Sequence, residues 1–449
     1  MTQTKYQFNY SQDIVNLQTK YSLFKRVSNI LFSVTFENGF KDGLMTKAIE
    51  LLVERNDCLR LVCEKGKGGN VQYFRDEYKI KEIPSVTFST YGQIDKFIKK
   101  FRKGAINVFK GETFKPVLAT GPSGERTVYI KISHFVADTY GIGVLVNDLQ
   151  QIYNSLEKGE ALPPAPAQFE EILKKDSQYR ANDDALEKDK AFFKDYYEVQ
   201  HPQMPMYCGI HGNESDRWFK FKKKGTRALP YLFVKCDTRG YRFVIPSTIT
   251  ERVEELCAKH QLSMNTFFFY TCAIACSLRN DKYPYQIPLE LMNCRGTVAD
   301  RKAAGTKVQS LGVYTNVDYT KSFIDNAMAL YNEQAELYRH TKLSYLEVEA
   351  IQHKLWGHPM TTQLTNFCFS FIPVSFPKGI NFSLHSNGKG ALATYMALML
   401  NIDTKEVYAM YDVQTKMCST EQMMEFQNTY IKVIEAVLKF PESPLNELF

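Results

Sequence analysis

The feature that most constrains the fold of this chain is a strand, a short turn and a helix that follow one another within residues 127–153. Along Thr127–His134 apolar and polar residues alternate, which predicts a β-strand with His134 at its end, on the apolar face. Beyond the turn, apolar residues recur at helical spacing from Ile142 to Tyr153. The pattern predicts a strand, a short turn and a helix, with a histidine where the strand ends.

The turn also holds Asp138, four residues after His134. A histidine at a strand end can expose one ring nitrogen to a cavity, and its ordinary pKa lets it accept a proton at neutral pH. A carboxylate at a helix entrance can cap free N–H groups and pair with a cation. Two interpretations follow: a catalytic pair, or a core histidine beside a plain helix N-cap.

Charge and composition exclude several classes of protein. The 449 residues include 56 Lys and Arg against 49 Asp and Glu, a net charge of +7 that is too dilute to indicate a nucleic-acid binder. No apolar run approaches the roughly 18–20 residues of a membrane span, and the N-terminus lacks a secretory signal, so we expect a cytoplasmic protein without a membrane segment.

The ten cysteines show no CxxC pair and no metal-ligand spacing. Six of them lie among apolar neighbours, which is typical of reduced thiols used as small core residues: Cys58, Cys63, Cys257, Cys272, Cys276 and Cys368. We therefore predict neither a metal site nor a tightly bound cofactor.

Other elements can be placed by their periodicity and capping residues. Residues 41–56 have the apolar stripe of a helix, and residues 266–278 are so apolar that we expect a buried helix. Thr248-Ile-Thr-Glu251 predicts a capping box, as does Ser419-Thr-Glu-Gln422 before the last helix. Irregular sequence separates two folded regions, and a second lobe is expected to begin near Tyr241.

The stretch from Ile132 to Leu149 resembles the HHxxxDG motif of the condensation domains of nonribosomal peptide synthetases, which belong to the chloramphenicol-acetyltransferase-like superfamily of acyltransferases. The resemblance continues in the family's order along most of the chain. Its further parts are Leu51–Arg60, the proline-rich Leu162–Phe169, Leu262–Phe267, Asn293–Gly296 and Gly312–Asn316.

The resemblance implies two similar α/β lobes arranged in a V, with an active-site tunnel between them. We expect an N-terminal lobe over 1–175, a linker helix and irregular basic segment over 176–240, and a C-terminal lobe over 241–449. His134 takes the position of the family's catalytic histidine. Asp138 takes that of its structural aspartate, and Arg295 is the candidate for the second-lobe arginine that pairs with it, the alternative being a surface arginine.

The sequence departs from the family pattern at two positions beside the motif. Ser133 replaces the first histidine, and by strand parity it points away from His134. Thr139 replaces the glycine whose backbone N–H is a proposed oxyanion donor; threonine keeps that N–H but not the freedom of glycine at positive φ. Asn316 is a candidate for the tunnel lining, or simply a turn residue at a strand end.

The implied function is acyl transfer from a thioester, carried by coenzyme A or by a phosphopantetheinyl carrier protein, to an amine or alcohol. We expect a free-standing monomeric enzyme that transfers groups other than aminoacyl groups. His134 would act as a general base or position the acceptor. The basic run Lys220–Arg227 would face an acidic carrier protein or the phosphates of coenzyme A, unless it is merely solvated. The alternative function is a non-catalytic module that binds a carrier protein or other partner.

Overall fold

The computed structural model describes residues 4–67, 69–78, 80, 82–199, 229–230, 236–280, 282–286, 289–357, 359–360, 362–365, 367–374, 377–390, 392–415 and 418–449. The chain divides into two compact units. Unit 1 contains residues 1–183, 293–308 and 374–389, and unit 2 contains residues 184–292, 309–373 and 390–449.

Helices and strands alternate in both units. The helices are α1 (Tyr10–Tyr21), α2 (Asp42–Arg55), α3 (Tyr91–Phe101), α4 (Thr139–Lys158), α5 (Phe169–Arg180), α6 (Asp183–Val199), α7 (Ser247–His260), α8 (Met264–Arg279), α9 (Val298–Arg301), α10 (Phe323–Leu337), α11 (Tyr345–Trp356), α12 (Thr420–Lys439) and α13 (Leu445–Leu448). The strands are β1 (Tyr6–Gln7), β2 (Asn29–Phe36), β3 (Leu61–Gly66), β4 (Gly69–Phe74), β5 (Ser85–Thr87), β6 (Phe114–Thr120), β7 (Arg126–Ser133), β8 (Leu229–Pro230), β9 (Thr238–Ile245), β10 (Tyr285–Gln286), β11 (Leu289–Asn293), β12 (Val308–Gly312), β13 (Thr315–Asn316), β14 (Thr362–Gln363), β15 (Phe367–Val374), β16 (Ile380–His385), β17 (Thr394–Asn401) and β18 (Val407–Gln414).

Unit 1 is built on a five-stranded sheet of order β16-β2-β7-β6-β5, in which only the β5–β6 pair is parallel. One face of the sheet packs against α2 and α4 in a common core that includes Val128, Ile130 and Ile132. The opposite face carries Tyr129, which packs against α3. Successive side chains of β7 therefore point to opposite faces of the sheet, as the sequence pattern indicated, and both faces are covered by helices.

Unit 2 is built on a six-stranded sheet of order β12-β11-β15-β17-β18-β9. Its core gathers α8 and α12 against the sheet, and every residue of α8 from Thr266 to Ser277 is buried, as the sequence predicts. The last helix begins after Ser419, whose side chain and that of Gln422 form the predicted capping box.

The capping box predicted at Thr248 is wrong. The helix begins earlier, at Ser247, and its N-cap is Pro246, which makes no side-chain hydrogen bond. Because proline presets φ near −65°, it can lead into a helix without a polar cap, so Thr248 lies inside the first turn. The later side chain, Thr250, reaches back to the carbonyl of Pro246 instead.

Each unit is assembled from three separate segments of the chain, whereas the sequence predicted three consecutive ranges. Residues 293–308 and 374–389 fall in the range assigned to a C-terminal lobe, and both belong to unit 1. The second of these contributes β16, which pairs with β2 over six residues. The predicted ranges 1–175, 176–240 and 241–449 stay predictions.

Candidate active site

The candidate site is built on the turn between β7 and α4. The strand ends at Ser133, one residue earlier than predicted, and the helix begins at Thr139. The Asp138 side chain is the helix N-cap, because its Oδ1 accepts a hydrogen bond from the Gly141 N–H at 2.7 Å. This cap holds the Asp138 side chain against the first turn of α4.

His134 has a fixed backbone and a partly exposed side chain. Its N–H donates to the carbonyl of Ser28 at 2.7 Å, which ties the turn to the start of β2. Within the described part of the chain the ring atom Nδ1 is buried without a partner, and Nε2 is the nitrogen left in contact with solvent.

Burial lowers the pKa of the His134 imidazole from its ordinary value of 6.5, while the nearby Asp138 carboxylate and the residue's own backbone oppose the shift. Desolvation has this sign because it disfavours the charged imidazolium. At neutral pH the ring is consequently neutral and able to accept a proton.

Asp138 is almost completely buried, and its other carboxylate oxygen, Oδ2, accepts two hydrogen bonds. Oδ2 accepts from Nη1 of Arg295 at 2.9 Å and from the Lys307 N–H at 2.7 Å. The two side chains are 1% and 0% exposed, so the pair is a desolvated salt bridge. Asp138 thus caps α4 through Oδ1 and forms an ion pair with Arg295 through Oδ2, so the structure combines the helix cap and the cation partner that the sequence offered for this carboxylate.

Arg295 is held by more than the aspartate. Its Nη1 also donates to Oδ1 of Asn293 at 3.0 Å, its Nη2 donates to the carbonyl of Gly305 at 2.8 Å, and its guanidinium lies 4.9 Å from the ring centre of Tyr140. Arg295 was expected on the second lobe. It lies in the 293–308 segment of unit 1, and Asp138, Tyr140, Asn293 and Gly305 belong to the same unit.

A close backbone approach accompanies the ion pair. The Asp138 N–H donates to the carbonyl of Gly305 at 3.2 Å. A side chain at Gly141 would place its Cβ 2.3 Å from that same oxygen, so only glycine fits there. Gly143, two residues further along and on another face of the helix, has open space around it.

Buried amide side chains form hydrogen bonds to the turn and to the segment that carries Arg295. The sequence analysis did not predict this network. Gln12 Nε2 donates to the carbonyl of Phe135 at 3.0 Å and to the side chain of Gln72 at 2.7 Å. Asn9 caps α1 in a reciprocal box with Gln12 and donates to the carbonyl of Thr306 at 2.8 Å. The Asn9-x-x-Gln12 spacing before an amphipathic stretch was the signal available in the sequence.

The two positions that depart from the family motif are both well defined. Ser133 is buried, pairs with Asn29 in the sheet, and its hydroxyl accepts from the Phe135 N–H at 3.3 Å. Thr139 is the first residue of α4, and its N–H has no hydrogen-bond partner among the described residues. This N–H is one of the donors that a helix leaves without an intrahelical partner at its start.

Asn316 lies elsewhere, in unit 2. It is exposed on β13, its carbonyl accepts from the Tyr270 hydroxyl at 3.0 Å, and it lines a cavity of about 220 Å³ with Glu333 and Lys321. It takes no part in the contacts around Asp138, so the structure does not join it to the other predicted site residues.

The remaining sequence predictions concern metals, membranes and the basic run. The described residues contain no group of three or more His, Cys, Asp or Glu side chains placed to hold a metal. No helix of the described residues is long and apolar enough to cross a bilayer. The nine described cysteines form no disulfide, and the six predicted as core thiols are buried. Lys220–Arg227 lies outside the described residues.

The two sheet-containing units make this a mixed α/β protein. The family model of the condensation domain matches residues 2–449, and the chain belongs to the condensation-domain family. As a class, these domains catalyse amide-bond formation, which is acyltransferase-like chemistry. Nothing supports the expected exclusion of aminoacyl donors.

Among curated proteins, the chain is similar to one of the plipastatin synthase polypeptides of Bacillus subtilis (strain 168), 22% identical over 430 residues, and to one of the surfactin synthase polypeptides of the same organism, 20% identical over 431 residues. These matches cover 94% and 90% of this chain but only 16% and 11% of the relatives. The chain therefore spans about a sixth of the length of the first relative and about a ninth of the length of the second.

Solved structures share the fold across the whole chain. A variant of the starter condensation domain of rhizomide synthetase in complex with C8-CoA has a TM-score of 0.82 at 15% identity, covering 99% of this chain and 97% of that one. The first condensation domain of the calcium-dependent antibiotic synthetase, in complex with a substrate analogue, has a TM-score of 0.79 at 13% identity, with 99% of each chain covered.

Proposed function

We propose that this protein transfers an acyl group from a thioester donor to an amine, with His134 as the general base or as the residue that positions the acceptor. The observation that carries the proposal is the setting of the His134 ring: it is partly exposed, its backbone N–H is bound to the Ser28 carbonyl, and burial lowers its pKa, which favours the neutral, proton-accepting form. A positioned imidazole of this kind contributes about 10²–10⁴-fold to a proton-transfer step.

The reaction balances without any further reagent. The amine nitrogen attacks the thioester carbonyl carbon, a C–N bond forms, and the C–S bond breaks. His134 accepts the proton that the amine loses and returns it to the departing thiolate. The oxyanion of the intermediate would accept a hydrogen bond from the free N–H of Thr139. An alcohol acceptor would follow the same steps and give an ester.

The donor is an acyl group on coenzyme A or on the phosphopantetheine of a carrier protein. One neighbouring structure was solved with C8-CoA, and the curated relatives are peptide synthetases, which supports both possibilities for this chain. Asp138 and Arg295 would serve as positioning residues, since their buried pair holds the turn that aims His134. A cytoplasmic monomer and a substrate-lining role for Asn316 remain part of the proposal.

The test is a transfer assay with octanoyl-coenzyme A and a pool of amines and alcohols, read by mass spectrometry and by release of free thiol. His134→Ala should lower product formation by about 10²–10⁴-fold if the ring is a general base. His260→Ala, at a partly exposed histidine of α7, is the matched control and should leave the rate unchanged. Equal turnover by His134→Ala and the native chain would remove His134 from the mechanism.

A non-catalytic module that binds a carrier protein or other partner is the second candidate. Ser133 and Thr139, which replace the histidine and the glycine of the family motif, are the observations that favour it. It predicts that a carrier protein binds tightly while no thiol is released with any donor.

A further inference from the structure

The end of α1 and the turn that follows it hold three apolar side chains out in solvent. Tyr21 is 54% exposed, Leu23 is 68% exposed and Phe24 is 39% exposed. Ser22, between them, is buried, and its hydroxyl accepts from the Phe24 N–H at 3.1 Å and donates to the Phe24 carbonyl at 3.2 Å. The turn is thus a built feature, which we call the apolar tip, and its side chains would gain free energy by entering an apolar medium.

Cationic side chains lie against the aromatic rings of the apolar tip. Nζ of Lys20 lies 5.3 Å from the ring centre of Tyr21, and the Arg26 guanidinium lies 5.8 Å from that of Phe24. Nζ of Lys389, a buried lysine, lies 3.5 Å from the ring centre of Phe24. Exposed apolar side chains and positive charge are therefore combined at one place on unit 1.

The C-terminal end of α3 lies beside the same turn. The Arg102 guanidinium stands 3.0 Å from where a Cβ at Gly388 would be, next to Lys389 in the chain. Asn29 connects the two segments, because its side chain donates to the Gly104 carbonyl at 2.9 Å and its own carbonyl accepts from the Asn387 side chain at 2.7 Å. These contacts bring three exposed lysines near the apolar tip: Lys99, Lys100 and Lys103.

We call the surface formed by Lys20–Arg26 and Lys99–Lys103 the tip surface. Its cations are five lysines and two arginines, and the sequence has no acidic residue anywhere in 14–36 or 96–111. Within the part of the chain that the structure describes, none of the seven cations pairs with a carboxylate. The positive field of the tip surface is therefore available to an anionic partner.

We propose that the tip surface binds the face of a lipid bilayer that contains anionic phospholipids, with the apolar tip inserted at the headgroup level. Apolar insertion and attraction between lysines and lipid phosphates are each weak, and together they give stable binding at a membrane surface. The long lysine stems allow the ammonium groups to stay in water at the depth of the phosphates. This inference goes beyond the proposed function and does not depend on it.

The composition of the tip surface favours a bilayer over a protein partner. Protein interfaces are enriched in arginine and depleted in lysine, whereas five of the seven cations here are lysines. The exposed apolar side chains also stand on one short turn, Tyr21–Phe24, and not on a broad flat patch. A soft bilayer accommodates such a narrow projection without a matching pocket.

The experiment measures sedimentation with vesicles of phosphatidylcholine alone and of an equimolar mixture with phosphatidylglycerol, at low and high salt. The charge variant carries Lys99→Glu, Lys100→Glu and Lys103→Glu. Its control carries the same reversals at exposed positions of unit 2, namely Lys188, Lys194 and Lys432.

A second pair of variants tests insertion. The tip variant carries Tyr21→Ser and Leu23→Ser, and its control carries Ile402→Ser and Met424→Ser, at apolar positions that are 43% and 42% exposed on unit 2. Leu23→Trp reports insertion directly, because its emission should move to shorter wavelength when the indole enters the mixed vesicles.

We expect the native chain to bind the mixed vesicles at least about tenfold more tightly than the neutral ones, and to lose most of that preference at high salt. The charge variant and the tip variant should each bind the mixed vesicles at least about tenfold more weakly than the native chain, and both controls should match it. Circular dichroism melts that coincide with that of the native chain show that the variants are folded.

The inference is overturned if the native chain binds neither kind of vesicle or binds both equally, or if the two variants bind as the native chain does. Weakened binding by the charge variant with an unchanged tip variant and no emission shift would also overturn it, since the chain would then only adsorb electrostatically. Binding of acidic proteins or nucleic acid through the tip surface, without binding to vesicles, would assign the surface to another partner. Thiol release measured without vesicles tests the proposed function separately and should be equal in all of these variants.

Discussion

At the scale of single residues, His134 and Asp138 respond to burial in opposite ways. The imidazole is desolvated and has no partner for Nδ1 within the described residues, so it loses its charge. The carboxylate is at least as deeply buried, but a guanidinium and two backbone N–H groups surround it. Such compensation is what allows a charge to remain in an interior.

The lowered pKa of His134 predicts the pH dependence of the reaction. A general base works in its neutral form, so kcat/KM should hold its plateau below pH 6.5 and fall only at a more acidic midpoint. Because the unfolded chain takes up this proton near pH 6.5 and the folded chain resists it, the same group makes stability decline as the pH drops below that value. A pH–rate profile checks the prediction, and a midpoint above 7 would contradict it.

Arg295 should matter for stability more than any exposed arginine. Arg295→Ala leaves the Asp138 carboxylate buried without its cation, which should lower the free energy of unfolding by about 3–5 kcal/mol. Arg295→Lys keeps the charge but cannot serve both Asp138 and the Gly305 carbonyl, so it should lose part of that amount. Urea unfolding followed by circular dichroism is the measurement.

Lys302→Ala is the matched control for these variants, because Lys302 is exposed in the same segment of the chain. It should shift the unfolding midpoint very little. If Arg295→Ala unfolds at the same urea concentration as this control, the ion pair does not stabilise the turn.

At the scale of elements, the sequence was informative wherever one element's own pattern decided its structure. The apolar stripe of 41–56 gave α2, the run 266–278 gave the buried α8, and Ser419 with Gln422 capped α12. The sequence did not reveal helix N-termini whose N–H groups are bound by a side chain from a distant part of the chain. Asp57 accepts from the N–H groups of Phe169 and Glu170 at 2.8 Å each, more than a hundred residues away.

The N-terminal part of α4 offers a matched pair of glycines, Gly141 and Gly143. Gly141→Ala would drive a methyl group into the Gly305 carbonyl, and overpacking of this kind costs about 1–3 kcal/mol. Gly143→Ala meets nothing within 4 Å and should instead stabilise the helix by up to about 1 kcal/mol. Urea unfolding of both variants tests the close approach, and a Gly141→Ala midpoint at or above that of Gly143→Ala would refute it.

At the scale of the whole molecule, unit 1 depends on chain from far along the sequence. The β2 edge of its sheet is covered by β16, and Asp138 takes its cation from the 293–308 segment. An isolated fragment of residues 1–183 would expose an unpaired strand edge and a buried carboxylate without its partner.

We therefore predict that residues 1–183 expressed alone will not fold cooperatively. The expected result is a broad or absent urea transition and strong binding of a hydrophobic dye, whereas the full chain shows neither. A fragment with a sharp transition and well-dispersed amide resonances would show that unit 1 is complete without the later segments.

The sequence by itself determined the local structure and the chemistry-bearing turn. Periodicities of two and 3.6 residues act between neighbours along the chain, so β7, α4 and the positions of His134 and Asp138 follow from a short stretch of residues. Tertiary structure alone decided what surrounds that turn. Arg295 and Lys307 reach Asp138 across more than 150 residues, and Gln12 reaches Phe135 across 123. Such contacts depend on how elements pack, and no local spacing in the chain encodes which distant group will satisfy a buried charge.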